Sequence, residues 1–463
     1  MSGTAVARSS LITTLKRYAR SPGLWLLLLI GPIGARFMIA RDDGSGVQIA
    51  IGHHLPTMTS AMLGISLGIV VSTLLLPVGF LYLRSNITRR QPWQIEEVTG
   101  ADRVGIVLGR FGADVAVLFA MLGTLNVAGW LLGWWIVSGA LDIGQISLGL
   151  WLVAAPALMG LAALHVLLDA MPFARRAFGD LLFFIAWFTS IALPAAVAGR
   201  PSSFVANMYD FAGFVRPLVG AAPSANQDFS IGSTTGVLPG RIPLDVWAGI
   251  HASGYMASRL AWAVIAVTLA TIAGLLYRPH TVRSRGWVGR VLDRWLATRA
   301  PPPVIKGAPP AQPVARAFLS LIWAEFRLVG GGRLFHILAI AAALLGLLGD
   351  YRHVGGPAAL LLLVFGLAAH AGRSEAKGLL SLTQTAPLPP AARRIAFIAA
   401  AVCWAMLMAF PGALIRFSPQ PLIAMAEVSC AAAVIATVLA AVSHSSFAPR
   451  LVLLILWYGY LSG

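Results

Sequence analysis

Polar and apolar positions alternate in long blocks along this chain. Runs of apolar residues recur at Leu24–Ala40, Thr57–Leu83, Phe111–Val137, Gln145–Leu168, Gly179–Gly199 and Ala257–Tyr277. They resume at Leu334–Gly349, Val354–Ala371, Ile395–Ile415, Pro421–Val442 and Leu451–Leu461. About 20 apolar residues suffice to cross a bilayer as a helix. The pattern therefore predicts an all-α polytopic membrane protein with about eleven transmembrane helices, six before residue 278 and five after 315. Two stretches have helical amphipathicity instead. In residues 1–22, Leu11, Ile12, Leu15 and Tyr18 oppose Lys16, Arg17 and Arg20, a pattern expected to lie in the membrane interface. The second, ARAFLSLIWAEFRLVGGGR, precedes the seventh span.

Between the second and third spans lies RSNITRRQPWQIEEVTGADRVGIVLGR, Arg84–Arg110. Its arginines would each cost a few kcal/mol at the membrane centre, and short Arg-rich loops face the cytoplasm. Trp93, Ile95, Val98 and Val104 give it the apolar face of a short helix, with Glu96, Glu97 and Asp102 adding charge. A loop this long and this patterned reads as a docking element for a cytoplasmic partner. The loop with Arg175 and Arg176 should lie on the same side, which puts the N-terminus in the cytoplasm. Residues 200–250, rich in Gly, Pro, Ser and Asn, are expected outside as short helices on the outer leaflet.

Composition agrees with the membrane assignment: 58% of the residues are hydrophobic and 11% charged, against about 25% charged in soluble domains. The net charge of +17 would suggest nucleic acid in a soluble chain, but here the basic residues gather beside the spans, where anionic lipid is their partner. The two cysteines, Cys403 and Cys430, lie in apolar runs and are expected to pack as small apolar groups, with no disulfide framework or zinc site. The first span contains Arg36 and no clean cleavage pattern follows it, unlike a signal peptide.

A basic, Pro-rich linker, 278–315 with PPPVIKGAPPAQP, divides the chain into residues 1–277 and 316–463. Each half runs amphipathic segment, span, short outside loop, span, basic cytoplasmic loop, span. Setting Thr99 against Thr385 also aligns Phe111 with Phe397, so the halves read as an internal repeat.

This layout resembles the membrane subunit of ABC-2 type ABC exporters. The resemblance rests on the basic helix Ser10–Arg20, the loop RRQPWQIEEVTGADRVGIVLGRF, the outside segment between spans 5 and 6, and RSEAKGLLSLTQTAPLPPAARRIAF in the second half. It implies a connecting helix before span 1, a coupling helix at Gln94–Val104 and a counterpart at Leu380–Arg393. Gln94, Glu96, Glu97, Asp102, Arg103, Arg175, Arg176, Arg393 and Arg394 would then face a separate ATPase, itself a homodimer. No G-x-x-x-x-G-K-[ST] phosphate loop occurs in the sequence, so ATP and Mg would belong to that partner and this chain would hold no cofactor. Carried over, the chain is an inner-membrane permease that moves a hydrophobic or amphipathic substrate outward.

Ionisable residues inside spans are functional candidates because burying them is costly. Arg36, Asp114 and Glu427 qualify, with Asp180 less central. Arg36 is expected to snorkel to the interface. Glu427 is the candidate relay of an alternative reading, a proton-coupled transporter. A membrane enzyme or assembly scaffold is the third reading, although no cluster of acids or histidines marks one membrane face. His165 and His370 read as satisfied core histidines. The pair His53/His54 lacks further ligands for a metal.

Overall fold

The computed structural model describes residues 3–40, 46–51, 54–85, 101–171, 174, 177–194, 201–221, 229–231, 240–277, 314–348, 351–371, 388–443 and 447–462. Gln94, Glu96, Glu97, Arg175, Arg176, His53 and the Pro-rich linker lie outside the described residues, as do positions 380–387 of the second predicted coupling helix. Among the described residues, six helices are long and apolar enough to cross a membrane, or up to eight if each of two bent pairs is one span. Three shorter apolar helices accompany them. The chain is a membrane-embedded multi-pass protein. It divides into two compact units, Met1–Ser284 and Arg285–Gly463.

The first unit begins with α1 (Gly3–Ala19), bent by 77° from α2 (Pro22–Met38). Next, α3 (Ser60–Val70) passes through a π-helical turn, Val71–Leu75, into α4 (Leu76–Ser85). The longest helix, α5 (Arg103–Ile136), and α6 (Ile143–Ala170) follow, then α7 (Ala177–Ala192). Short helices α8 (Phe204–Met208), α9 (Val215–Ala221) and α10 (Val246–Ile250) precede α11 (Tyr255–Leu276). Side-chain caps start several of these. Thr59 Oγ1 accepts from Met62 N at 3.2 Å, and Asp142 Oδ1 from Gln145 N at 3.0 Å, each supplying a first-turn donor with an acceptor.

The centre of this unit is α3, every residue of which is buried. Lipid tails are as apolar as leucine, so close packing rather than hydrophobicity holds spans together. Gly68 permits it here: a Cβ would stand 2.6 Å from Val153 Cγ1 on α6. The π-turn shifts the helix register, and polar side chains absorb the carbonyls it frees. Ser72 Oγ donates to Gly68 O (3.1 Å), Thr73 Oγ1 to Ile69 O (2.7 Å), and Trp187 Nε1 from α7 to Ser72 O (2.8 Å).

The expectation of an all-α chain needs one amendment. Strand β1 (Ile49–Ile51) pairs antiparallel with β3 (Phe229–Ile231), and β2 (Leu55–Pro56) pairs parallel with β4 (Arg241–Ile242). These two ladders tie the loop before α3 to the long segment before α11. Period-2 patterning is undetectable in strands this short, so the sequence carried no sign of them. A buried polar latch fixes the rest of that segment. Asp210 accepts from Gly213 N and Arg216 N, both at 2.8 Å. From α11, Arg259 donates to Phe211 O (3.0 Å), Asn207 O (3.2 Å) and Asp210 O. Burial pushes the Asp210 carboxyl above the usual carboxylate range, against the lowering by Arg259 and backbone N–H donors. Burial likewise lowers the Arg216 guanidinium, against the pull of Asp210.

The second unit opens with amphipathic α12 (Val314–Val329) and α13 (Arg333–Leu348), bent by 86°. Then come a π-helical turn (Tyr351–Gly355), α14 (Gly356–His370), α15 (Pro390–Ile415), α16 (Gln420–Ser443) and α17 (Phe447–Ser462). An aromatic stack seats α12. Phe326 lies on Trp404 of α15 with centroids 4.4 Å apart, Phe335 meets the same ring edge-on at 4.9 Å, and Trp404 Nε1 donates to Phe326 O at 2.8 Å. The expectation that the cysteines pack inside is corrected: Cys403 and Cys430 are both exposed, because α15 and α16 bury their alanine-rich faces (Ala400, Ala401, Ala405; Ala433, Ala436, Ala440) instead.

Candidate functional site

Two features converge at one end of the first unit. The first is the seat of α1. The apolar stripe Leu11, Ile12, Leu15, Tyr18 is expected to meet the membrane interface; the structure leaves Ile12 exposed and buries Val6, Ser10, Thr14 and Tyr18 within the unit. Helix α5 explains the exchange. Its Gly105 and Gly109, four residues apart, let the α1 backbone lie almost on its own, an approach that bulky leucines would block. A Cβ at Gly109 would stand 2.4 Å from Ala7 O and 2.7 Å from Ser10 Cβ. Ser10 Oγ then donates to Ile106 O at 3.0 Å. So α1 runs alongside α5, and is no solitary helix on the lipid surface. At about 1.5 Å per residue and with 34 residues, α5 is some 51 Å long against a hydrocarbon core of about 30 Å. The helix is thus longer than crossing requires, and α1 is strapped to its first turns.

The second feature is a chain of ionisable side chains that begins where α1 ends, buried at Tyr18, Asp114 and His165 and half-buried at Asp169 and Asp180. Tyr18 Oη donates to Asp114 Oδ1 at 2.6 Å. Asp114 Oδ2 faces His165 Nδ1 at 2.9 Å, and both residues have no exposed surface. With a carboxylate as acceptor, Nδ1 carries the proton. His165 Nε2 lies 3.8 Å from Asp169 Oδ2, one turn along α6. Asp169 Oδ1 accepts from Arg84 Nη1 at 2.8 Å, and Arg84 Nε donates to Asp180 Oδ1 at 2.8 Å. Arg84 Nη2 closes the set on Ala174 O at 2.8 Å. Phe80 and Phe183, stacked 3.7 Å apart, brace the same end.

Each member sits where its span ends. Arg84 closes α4, Asp169 closes α6, Asp180 opens α7 and Asp114 lies three turns into α5. Five helices, α1, α4, α5, α6 and α7, are thereby joined by charge. A fully satisfied polar network rigidifies, and its buried part, Tyr18, Asp114 and His165, would be costly if left partly satisfied. Sequence reasoning named Asp114 and noted Asp180, and did not assign Tyr18, Arg84, His165 or Asp169 to a site. A signal existed: alternation of spans puts Arg84, Asp114, Asp169 and Asp180 on one membrane face.

The other predicted residues fall elsewhere. Asp102 is exposed and caps α5, accepting from Val104 N (3.2 Å) and Gly105 N (3.0 Å). Arg103 is the first residue of α5 and exposed. Both belong to the long helix, and so does Val104, so a separate coupling helix does not reach residue 104. Asp102→Ala should cost about 1 kcal/mol of stability through the lost cap, whereas Asp102→Asn keeps the acceptor and should leave unfolding in detergent unchanged. Arg393 and Arg394 stand in the first turn of α15, Arg394 exposed, and not in a preceding loop. Arg36 is exposed near the end of α2, its guanidinium 5.7 Å from the Phe37 ring. Glu427 is on the exposed face of α16, and no ion pair among the described residues involves it. Among the described residues no group of three metal-ligating side chains occurs. Comparison with known proteins returns no matching family model, no matching curated protein and no matching solved structure.

Proposed function

We propose that this chain is the membrane permease of an exporter powered by a separate ATPase that docks on the cytoplasmic segment 86–101. The observation that carries the reading is that both ends of this segment are anchored. At its start, Arg84 is held by Asp169, Asp180 and the Ala174 carbonyl. At its end, Asp102 caps α5, on which α1 is seated. A push on the segment reaches α4, α5, α6 and α7 together, which is what a coupling element requires. The network face is then cytoplasmic, the strand ladders and the Asp210–Arg259 latch are outside, and the membrane is the inner membrane. Eleven spans follow if both bent pairs and the three shorter apolar helices cross as well. Each unit also begins with a helix bent off its first span and packed on its third, α1 on α5 and α12 on α15, which supports the repeat of two halves.

Affinity purification of the tagged chain from its host in mild detergent, read by mass spectrometry, tests this. A stoichiometric soluble ATPase is expected, and Glu96→Ala with Glu97→Ala should release it while membrane levels of the chain stay normal. Recovery of the chain alone, under conditions that preserve a known membrane complex, would refute the reading.

A further inference from the structure

Of the six long apolar helices, α16 is the least covered by the rest of the chain. Its buried side consists of Met425, Ser429, Ala433, Ala436 and Ala440. The open side is just as regular. Ala424, Glu427, Ala431, Val434 and Val438 are exposed at steps of three, four, three and four, the spacing of a helix–helix seam. A stripe that met only lipid would need no polar group, yet this one holds Glu427. With 24 residues α16 is some 36 Å long, against a hydrocarbon core of about 30 Å. Glu427 is its eighth residue, about 10 Å along from Gln420, and therefore lies within the apolar layer. Among the described residues it has no hydrogen-bond or ion-pair partner. A carboxyl group set against lipid tails is costly. The small side chains around it, Ala424, Cys430 and Ala431, let another backbone come close.

We propose that this stripe is where a second copy of the chain pairs, α16 against α16, with the two Glu427 carboxyls hydrogen-bonded to each other. Two copies inserted alike in one membrane are related by a two-fold axis along its normal. In such an isologous contact a residue on the seam meets its own counterpart. The two α16 helices then run parallel, and both Glu427 side chains stand at one depth. The stripe offers no cation for an ion pair. A carboxyl that holds a proton is donor and acceptor at once, and two carboxyls brought together share one readily. The face is therefore complementary to itself: its one ionisable group is satisfied by the same group of the other copy, and Ala424 and Ala431 give the two backbones room to approach. Val434 and Val438 carry the seam onward with apolar contacts. The inference is independent of segment 86–101 and survives if no ATPase docks there.

Disulfide formation in the host membrane tests this, with Cys430 as the reporter on the same face as Glu427. Cys403→Ser leaves Cys430 as the only thiol of the full chain. An added thiol oxidant should then convert most of the chain to a covalent dimer on a non-reducing gel. In that background Glu427→Leu should weaken association by about tenfold, the scale of one interhelical hydrogen bond in a membrane. Ala431→Ile should weaken it too, with the carboxyl in place. Glu427→Gln keeps a donor and an acceptor and should stay dimeric. Membrane levels and the mass of the solubilised chain separate loss of folding from loss of pairing in each variant. Absence of the dimer in Cys403→Ser overturns the proposal. A dimer that Glu427→Leu leaves unchanged overturns it as well, because the thiols would then meet by collision alone. Loss in Glu427→Gln equal to that in Glu427→Leu, or a Cys430 adduct with a different protein, also overturns it, because the carboxylate would then meet a cation on another subunit.

Discussion

Arg84→Met should destabilise the first unit by roughly 3–5 kcal/mol, the usual cost of leaving a buried charge without its partner. The Arg84 side chain is only 8% exposed, and it pairs with Asp169 and Asp180 at 2.8 Å each. Removing it takes a charged donor from two carboxylates and from the Ala174 carbonyl. Unfolding in mild detergent, followed by tryptophan fluorescence, measures the loss. The cause can be separated from simple packing. Adding Asp169→Asn and Asp180→Asn to Arg84→Met removes the uncompensated charges and should recover a substantial part of the stability. Equal losses in the single and triple variants would show that the arginine acts through its volume. Arg84→Lys keeps the charge but offers no planar fork to three acceptors, so it should fall between.

The second large effect is expected at Gly109. Gly109→Leu places side-chain carbons where Ala7 O, Ser10 Cβ and Leu11 N lie within 2.9 Å of an added Cβ. Two of these three are backbone atoms, so no rotamer change relieves the contact, and α1 must leave its seat. Overpacking of this type costs about 1–3 kcal/mol. Labelling of a Ser10→Cys thiol, in a chain with Cys403→Ser and Cys430→Ser, reports it. Ser10 is buried against Ile106, so the parent should react slowly and the Gly109→Leu chain faster by roughly tenfold for each 1.4 kcal/mol. Unchanged labelling would mean that α1 is held by something other than the glycine seam. Because Tyr18 ends the same helix, the variant should also strip Asp114 of its hydroxyl donor.

These two positions mark what a sequence can and cannot disclose. The apolar helices lie where runs of hydrophobic residues put them, since the cost of polar groups in lipid is paid window by window. Helix α5 still begins at Arg103 rather than Phe111. The reason was readable: Asp102 before an apolar run is a capping signal, and a helix that leaves the bilayer need not stop at its surface. The face by which α1 packs on α5 was not legible, because amphipathicity ranks side chains by polarity, while tight packing in a membrane protein ranks them by size. Ser10 and Thr14 are buried for that reason, while Ile12 stays exposed.

By itself, the sequence determined that the chain is embedded in a membrane, where its apolar helices fall, and that Asp114 sits awkwardly within one. Only the tertiary structure decided that Tyr18, Asp114, His165, Asp169, Arg84 and Asp180 form one network. Tyr18 is 96 residues from Asp114, and Arg84 is 96 from Asp180. Crossing a bilayer is a local requirement that any stretch of about 20 residues meets or fails alone. Meeting across helices depends on how each helix is rotated about its axis and how closely it approaches its neighbours. In this protein those two quantities are set by contacts such as Gly109 against Ala7 and Gly68 against Val153, whose partners no local pattern names.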